Sequence, residues 1–156
     1  MITVWRITKS KYAASAYSGE GARLIAGRWH EVGQRVVYTS SSAALAALEV
    51  FVHTDTDLLP HTPFVAVPAT LPSRLKLLRL TVEELPAGWN ALPSPPALRQ
   101  LGSKWLNEGQ TAVLAVPSVI VPFEWNYLLN PEHPDFRKIT LGTPREYRFD
   151  PRLSHG

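Results

Sequence analysis

Strand-like and helix-like segments do not alternate along this chain, and that irregular order constrains the fold more than any other feature. Ile2–Ile7 alternates apolar and polar residues and is rich in β-formers, so it predicts a strand. Residues 11–22 are small and polar and read as a loop or short helix. Arg23–Trp29 reads as a strand broken at Gly27, Glu31–Gln34 as a turn around Gly33, and Arg35–Thr39 as a second strand completing a hairpin. Ser40–Ser42 then offers N-caps for a helix through ALAALEVFVH, ending near His53. Short strands follow at FVAV and at Leu75–Leu80, with a proline-rich irregular connection over Pro86–Pro96. Leu98–Asn107 is amphipathic and predicts a helix stopped by Gly109. Thr111–Val116 is an apolar strand in which Pro117 interrupts the ladder, leaving Ser118 at a bulge or strand edge. Asn130–Pro134 is a turn region, and Arg137–Leu141 and Tyr147–Asp150 read as closing strands. This order favours an α+β fold with flanking helices over a doubly wound sheet.

One domain is expected from 156 residues, and a composition that is 45% apolar and 10% aromatic can build its core. The net charge of +3 comes mostly from arginine, 11 against 5 lysines, and arginine suits bidentate recognition of phosphate and carboxylate. The basic residues are scattered without a run of three, which points to an anionic small ligand or acidic partner more than to a nucleic-acid groove. No cysteine is present, so disulfides, thiolate metal sites and cysteine catalysis are excluded. The N-terminal MITVWRITKSKY is too polar for a signal peptide, and no apolar segment approaches membrane-spanning length, so a soluble cytoplasmic protein is expected.

Glu49 is the most informative single residue. Its helical neighbours Leu45, Ala46 and Val52 and its flanks Leu48 and Val50 are apolar, so its carboxylate is expected to be at least partly buried. A buried carboxylate needs a donor, an arginine or a hydroxyl. It is either a structural tie between helix and sheet or a functional acid. Arg28 and Trp29 beside Gly27 read either as an edge-strand stack or as an anion clamp where glycine lets the backbone approach a ligand. Tyr38 is either core or a ring on which a base stacks. Ser118 is the lone hydroxyl of VLAVPSVIVP, without the G-x-S-x-G turn of a serine nucleophile, and reads as a hydrogen-bonding residue. His133 and Asp135 give no reason to assemble a triad with it. The histidines at 30, 53, 61, 133 and 155 lack metal-ligand spacing, and there is no P-loop or G-x-G-x-x-G, so no metal is expected. Glu83–Glu84 beside Leu85–Pro86 reads as a solvated turn.

The landmarks also occur in a telling order: W-R near the start, GEGARLIAGRWHEVGQRVVYTS, SAALAALEVFVH, GW, VPSVIVPFEWNYLLNPEHPDF and FDPRL. Together they resemble the RES domain, the toxin of bacterial RES–Xre toxin–antitoxin pairs, over Trp5 to about Leu153. The arginine, glutamate and serine that give the family its name match Arg28, Glu49 and Ser118. The resemblance implies a single domain, residues 1–156, related to the ADP-ribosyltransferase toxin fold, with NAD as substrate and no metal. It implies cleavage of the nicotinamide–ribose bond by hydrolysis or phosphorolysis, or else transfer of ADP-ribose to a cellular protein. It also implies a cognate Xre-like helix-turn-helix antitoxin, dimeric in a hetero-oligomer with the toxin, and no direct nucleic-acid contact by the toxin itself. Carried over by position, Arg6 and Arg28 hold the NAD pyrophosphate, Tyr38 stacks near the nicotinamide or its ribose, Glu49 faces that ribose, and Ser118 binds ligand or orients Glu49. The family's usual GGRWN is AGRWH here, so Ala26 and His30 depart from the pattern, and His30 is expected to alter ligand contacts or substrate range.

Overall fold

The computed structural model describes residues 1–154, which leaves His155 outside the described residues. Eight strands form one mixed sheet: β1 (Ile2–Lys9), β2 (Val37–Ser40), β3 (Phe64–Leu71), β4 (Leu77–Arg79), β5 (Val113–Pro117), β6 (Trp125–Leu129), β7 (Thr140–Leu141) and β8 (Arg145–Tyr147). Their order is β4-β5-β6-β2-β1-β3-β7, with β8 also on β3. All pairings are antiparallel except β4 with β5. The helices are α1 (Glu20–Leu24), α2 (Ala43–His53) and α3 (Pro96–Glu108). The expected α+β class, a mixed sheet with flanking helices, is what forms.

Strand alternation distributes the core. Val4, Val37, Val65, Val67, Val113, Ala115, Tyr127 and Leu129 bury one face of the sheet in a common cluster. The opposite face is divided. Val36, Leu114, Val116 and Leu128 pack beneath α3 with Trp29, Leu98 and Trp105. Ile7, Phe64 and Ala66 pack beneath α2 with Ala46 and Phe149. Burying a side chain such as Leu98 or Leu128 contributes about 1.5–3 kcal/mol each. Because α2 packs against both β1 and β2, it spans the junction of those two strands.

That junction is barely joined. β1 pairs with β3 at eight positions, Ile2↔Leu71 through Lys9↔Phe64, but with β2 only at Trp5↔Ser40. Past that pair the Arg6 side chain replaces a backbone donor, its Nη1 giving a 3.1 Å hydrogen bond to the Tyr38 carbonyl.

Four segments differ from expectation. Arg23–Trp29 is not a strand and makes no hairpin with β2: α1 occupies its start, and residues 26–30 form an irregular bend. β2 takes β6 and β1 as partners instead, with a register of Val37↔Leu129 through Ser40↔Asn126 on the β6 side. Residues 137–138 close a 3-10 turn, Pro134–Lys138, before the short β7. The last strand ends at Tyr147 and not Asp150, whose side chain caps the following turn by accepting from the Arg152 amide. The helix expectations hold: Ser42 caps α2 by accepting from the Leu45 amide, and Gly109 ends α3 at φ 62°. Pro117 is accommodated because the Ser118 amide bonds to the Glu124 carbonyl, so the proline nitrogen points away from β6 and past the end of β4.

Candidate functional site

The bend at residues 26–30 is fixed by side chains, not by a ladder. His30 is buried, and its Nε2 lies 2.7 Å from the Ala22 carbonyl and 2.8 Å from that of Ile25. Carbonyls only accept, so Nε2 carries the proton and Nδ1 accepts from the Tyr38 hydroxyl at 2.7 Å. That hydroxyl in turn accepts from the Trp29 amide at 3.2 Å. Gly27 packs so tightly here that a Cβ would come within 2.8 Å of the His30 ring and the Tyr38 hydroxyl. Trp29 is held from the other side, because α3 presents Gly102 to its carbonyl. His30 is thus a strut of the bend, tying α1 to β2, although it and Tyr38 also line a cavity.

Arg28 leaves the bend half-buried. Its Nη1 donates to the carbonyls of Trp89 (2.9 Å) and Ala91 (3.3 Å), and its Nη2 donates to Ala91 (3.3 Å), pinning the proline-rich connection. Burial holds its pKa below the ordinary value, opposed by the charge of Glu49 and then by Tyr38. Burial also pushes the Tyr38 hydroxyl up, opposed by the Trp29 amide and then by the charges of Arg99 and Arg28.

Glu49 projects from α2 and is partly buried, as its apolar neighbours require. Its donor is a hydroxyl: Ser118 Oγ gives a 3.2 Å hydrogen bond to Oε1. Ser118 is fully buried, and its oxygen accepts from the amides of Ile120 and Val121, each at 3.1 Å. Two fixed donors on that oxygen orient the serine proton towards the carboxylate. Among the described residues no histidine bonds to Ser118, and His133 Nδ1 instead accepts from the Asp135 amide, so these residues form no triad. Glu84 belongs to a capping box with Thr81 and is exposed, as a solvated turn should be.

Arg6 approaches from β1. Besides the Tyr38 carbonyl bond, its Nε is buried without a hydrogen-bond partner. Burial lowers its pKa, opposed by nearby Tyr17, whose own hydroxyl donates to the Val67 carbonyl at 2.8 Å. Arg6 lines a cavity of about 230 Å³ with Ser15, Gly19, Glu20, His30, Val37 and Tyr38. The structure therefore brings Glu49, Ser118, Arg28 and Tyr38 together, and places Arg6 in an adjoining cavity that shares Tyr38 with them. Sequence reasoning missed the parts played by His30, Gly27 and Gly102. Gly27 stood out as a bend marker, but nothing in spacing announced its partners or the part played by Gly102. Among the described residues no group of His, Asp and Glu could hold a metal ion.

The fold is similar to one seen in the crystal structure of the M. tuberculosis MbcT–MbcA toxin–antitoxin complex. A chain of that complex superposes with a TM-score of 0.79 at 18% identity, covering 97% of this chain and 86% of that one. The protein belongs to the RES domain family, whose model matches residues 3–150. It is 41% identical over 154 residues to the Prs ADP-ribosylating toxin of Sphingobium sp. (strain YBL2), spanning 96% of this chain and 94% of that protein. It is 40% identical over 151 residues to Toxin Res of Photorhabdus laumondii, spanning 96% of each.

Proposed function

We propose that this protein is the toxin of a toxin–antitoxin pair and consumes NAD by breaking the nicotinamide–ribose bond. The observation that carries the reading is the Glu49 carboxylate, oriented by Ser118 and within reach of the Arg28 charge. Cleavage moves the electron pair of the C–N bond onto the pyridinium nitrogen, releasing neutral nicotinamide and leaving an oxocarbenium ion on the ribose. A fixed carboxylate stabilises that developing cation. Ser118 keeps one carboxylate oxygen in place, so little reorganisation accompanies the charge change. Arg28 binds the diphosphate by charge-assisted bonds, Arg6 adds a second cation across Tyr38, and the Tyr38 ring packs near the nicotinamide or its ribose. Water adding to the cation and losing a proton gives ADP-ribose; phosphate as acceptor gives the 1-phosphate instead.

Purified protein free of antitoxin is incubated with NAD, with and without phosphate, and nicotinamide release is followed. Release is expected; none under either condition sinks the reading. A second reading, ADP-ribosyl transfer to a cellular protein, is favoured by the name of the 41% identical relative. Labelled NAD separates the two, since label on a protein band supports transfer and free ADP-ribose alone opposes it. The cognate partner in this proposal is an Xre-like antitoxin, dimeric and bound over the site. A setting in the cytoplasm fits that partner, and no helix among the described residues is long and apolar enough to cross a membrane.

A further inference from the structure

A second guanidinium reaches the bend and has no assigned task. Arg99 lies on α3, one turn before Gly102. Gly102 meets the Trp29 carbonyl, and Arg99 Nε donates to the Gly27 carbonyl at 3.3 Å. Two positions one turn apart thus touch residues 29 and 27, so α3 runs alongside the bend and delivers Arg99 to its Arg28 end. The Nε bond is the one hydrogen bond Arg99 makes among the described residues, and it leaves both terminal nitrogens unused. Neither Arg99 nor Arg28 forms an ion pair with a carboxylate among the described residues. The charges of both reach the Tyr38 hydroxyl. Two guanidinium groups that reach one short bend both attract a bound anion. The planar fork of each guanidinium matches phosphate oxygens.

We infer that Arg99 is a further ligand-binding residue, gripping the diphosphate of the dinucleotide together with Arg28 from the other side of the bend. The inference rests on the NAD reading of this site, but its test stands apart from turnover. Arg99→Gln keeps an N–H donor for the Gly27 carbonyl while removing the charge, so a purely structural role survives it. Binding of inorganic pyrophosphate and of ADP-ribose to the full chain is measured by calorimetry, alongside KM and kcat for NAD.

The expected result is binding of both probes weakened about tenfold or more in Arg99→Gln, a matching rise in KM, and kcat within about twofold. Arg99→Lys, which keeps the charge, recovers part of the loss. Unchanged binding of both probes by Arg99→Gln overturns the inference, as does a fall in kcat alone. Wild-type protein that binds pyrophosphate and ADP-ribose through Arg99 yet releases no nicotinamide sinks the NAD-cleavage reading and leaves the anion role standing. Wild-type protein that binds neither probe overturns both. Should Arg99→Gln fail to fold, phenylglyoxal modification of wild-type protein decides: protection of Arg99 by pyrophosphate supports the role, and equal modification with and without it ends it.

Discussion

Glu49 and Ser118 form the tightest chemical pairing of the site, and they are separable by mutation. Glu49→Gln keeps the size of the side chain and still accepts the Ser118 hydrogen bond through its amide oxygen. The fold should therefore remain while the charge that stabilises an oxocarbenium ion is gone. Nicotinamide release is expected to fall roughly a hundredfold or more, with an unchanged circular dichroism spectrum and melting temperature. A folded and fully active variant removes Glu49 from the mechanism; an unfolded one makes it a structural tie. His30 belongs to a different category. Truncating it to Ala orphans the Ala22 and Ile25 carbonyls and frees the Tyr38 hydroxyl. A loss of about 1–3 kcal/mol in denaturant unfolding is expected. His30, at 2% exposure, is a strut of the bend that also lines the cavity and acts on the site through the Tyr38 ring it holds.

Among the elements, α2 and α3 were legible because each states its own limits: Ser42 before an apolar run, Gly109 after an amphipathic one. The strand β6 was not read at all. WNYLL is a five-residue run before Asn130, without alternation, and its place between β5 and β2 is set by partners 8–16 and 86–92 residues away. The bend at 26–30 was misread as strand because Leu24, Ile25 and Trp29 have β-forming side chains, whereas its shape is imposed by α3, Tyr38 and Arg99. Much the same holds for the site. The need of Glu49 for a donor followed from its neighbours, but Ser118 as that donor, 69 positions away, followed only from family resemblance. At this scale Gly102 is the critical contact. A Cβ there would lie 1.8 Å from the Trp29 carbonyl, a backbone atom with no rotamer to escape into. Gly102→Ala should destabilise by about 1–3 kcal/mol and displace Arg28 with the bend, so that calorimetry finds weaker ADP-ribose binding in the protein that still folds.

Across the whole molecule, the polar groups inside the sheet set its response to pH. Burial raises the hydroxyl pKa of both Tyr17 and Tyr38 above the ordinary tyrosine value of 10.0. In the unfolded chain these hydroxyls lose their protons near that ordinary value, while the folded protein keeps them. The native state then binds more protons, so stability falls as pH rises past about 10. Burial also lowers the Arg6 pKa; that shift has the opposite sign, because the folded state gives up this proton more readily than the unfolded chain, and it offsets part of the alkaline loss. Urea midpoints measured from pH 8 to pH 11 should be flat at first and then decline above about pH 10. Replacing Tyr17 with Phe should soften that decline.

The single pairing of Trp5 with Ser40 has a mechanical consequence. A sheet normally resists shear through its rungs, and between β1 and β2 nearly all of them are missing. The two half-sheets are held side by side by α2 above and by the Arg6 side chain between them. This compliance lies where the proposed substrate binds, so a dinucleotide bridging the seam would serve as the absent rungs. Amide hydrogen exchange should then slow on ADP-ribose binding along the β2-facing edge of β1, while the amides already bonded to β3 keep their rates.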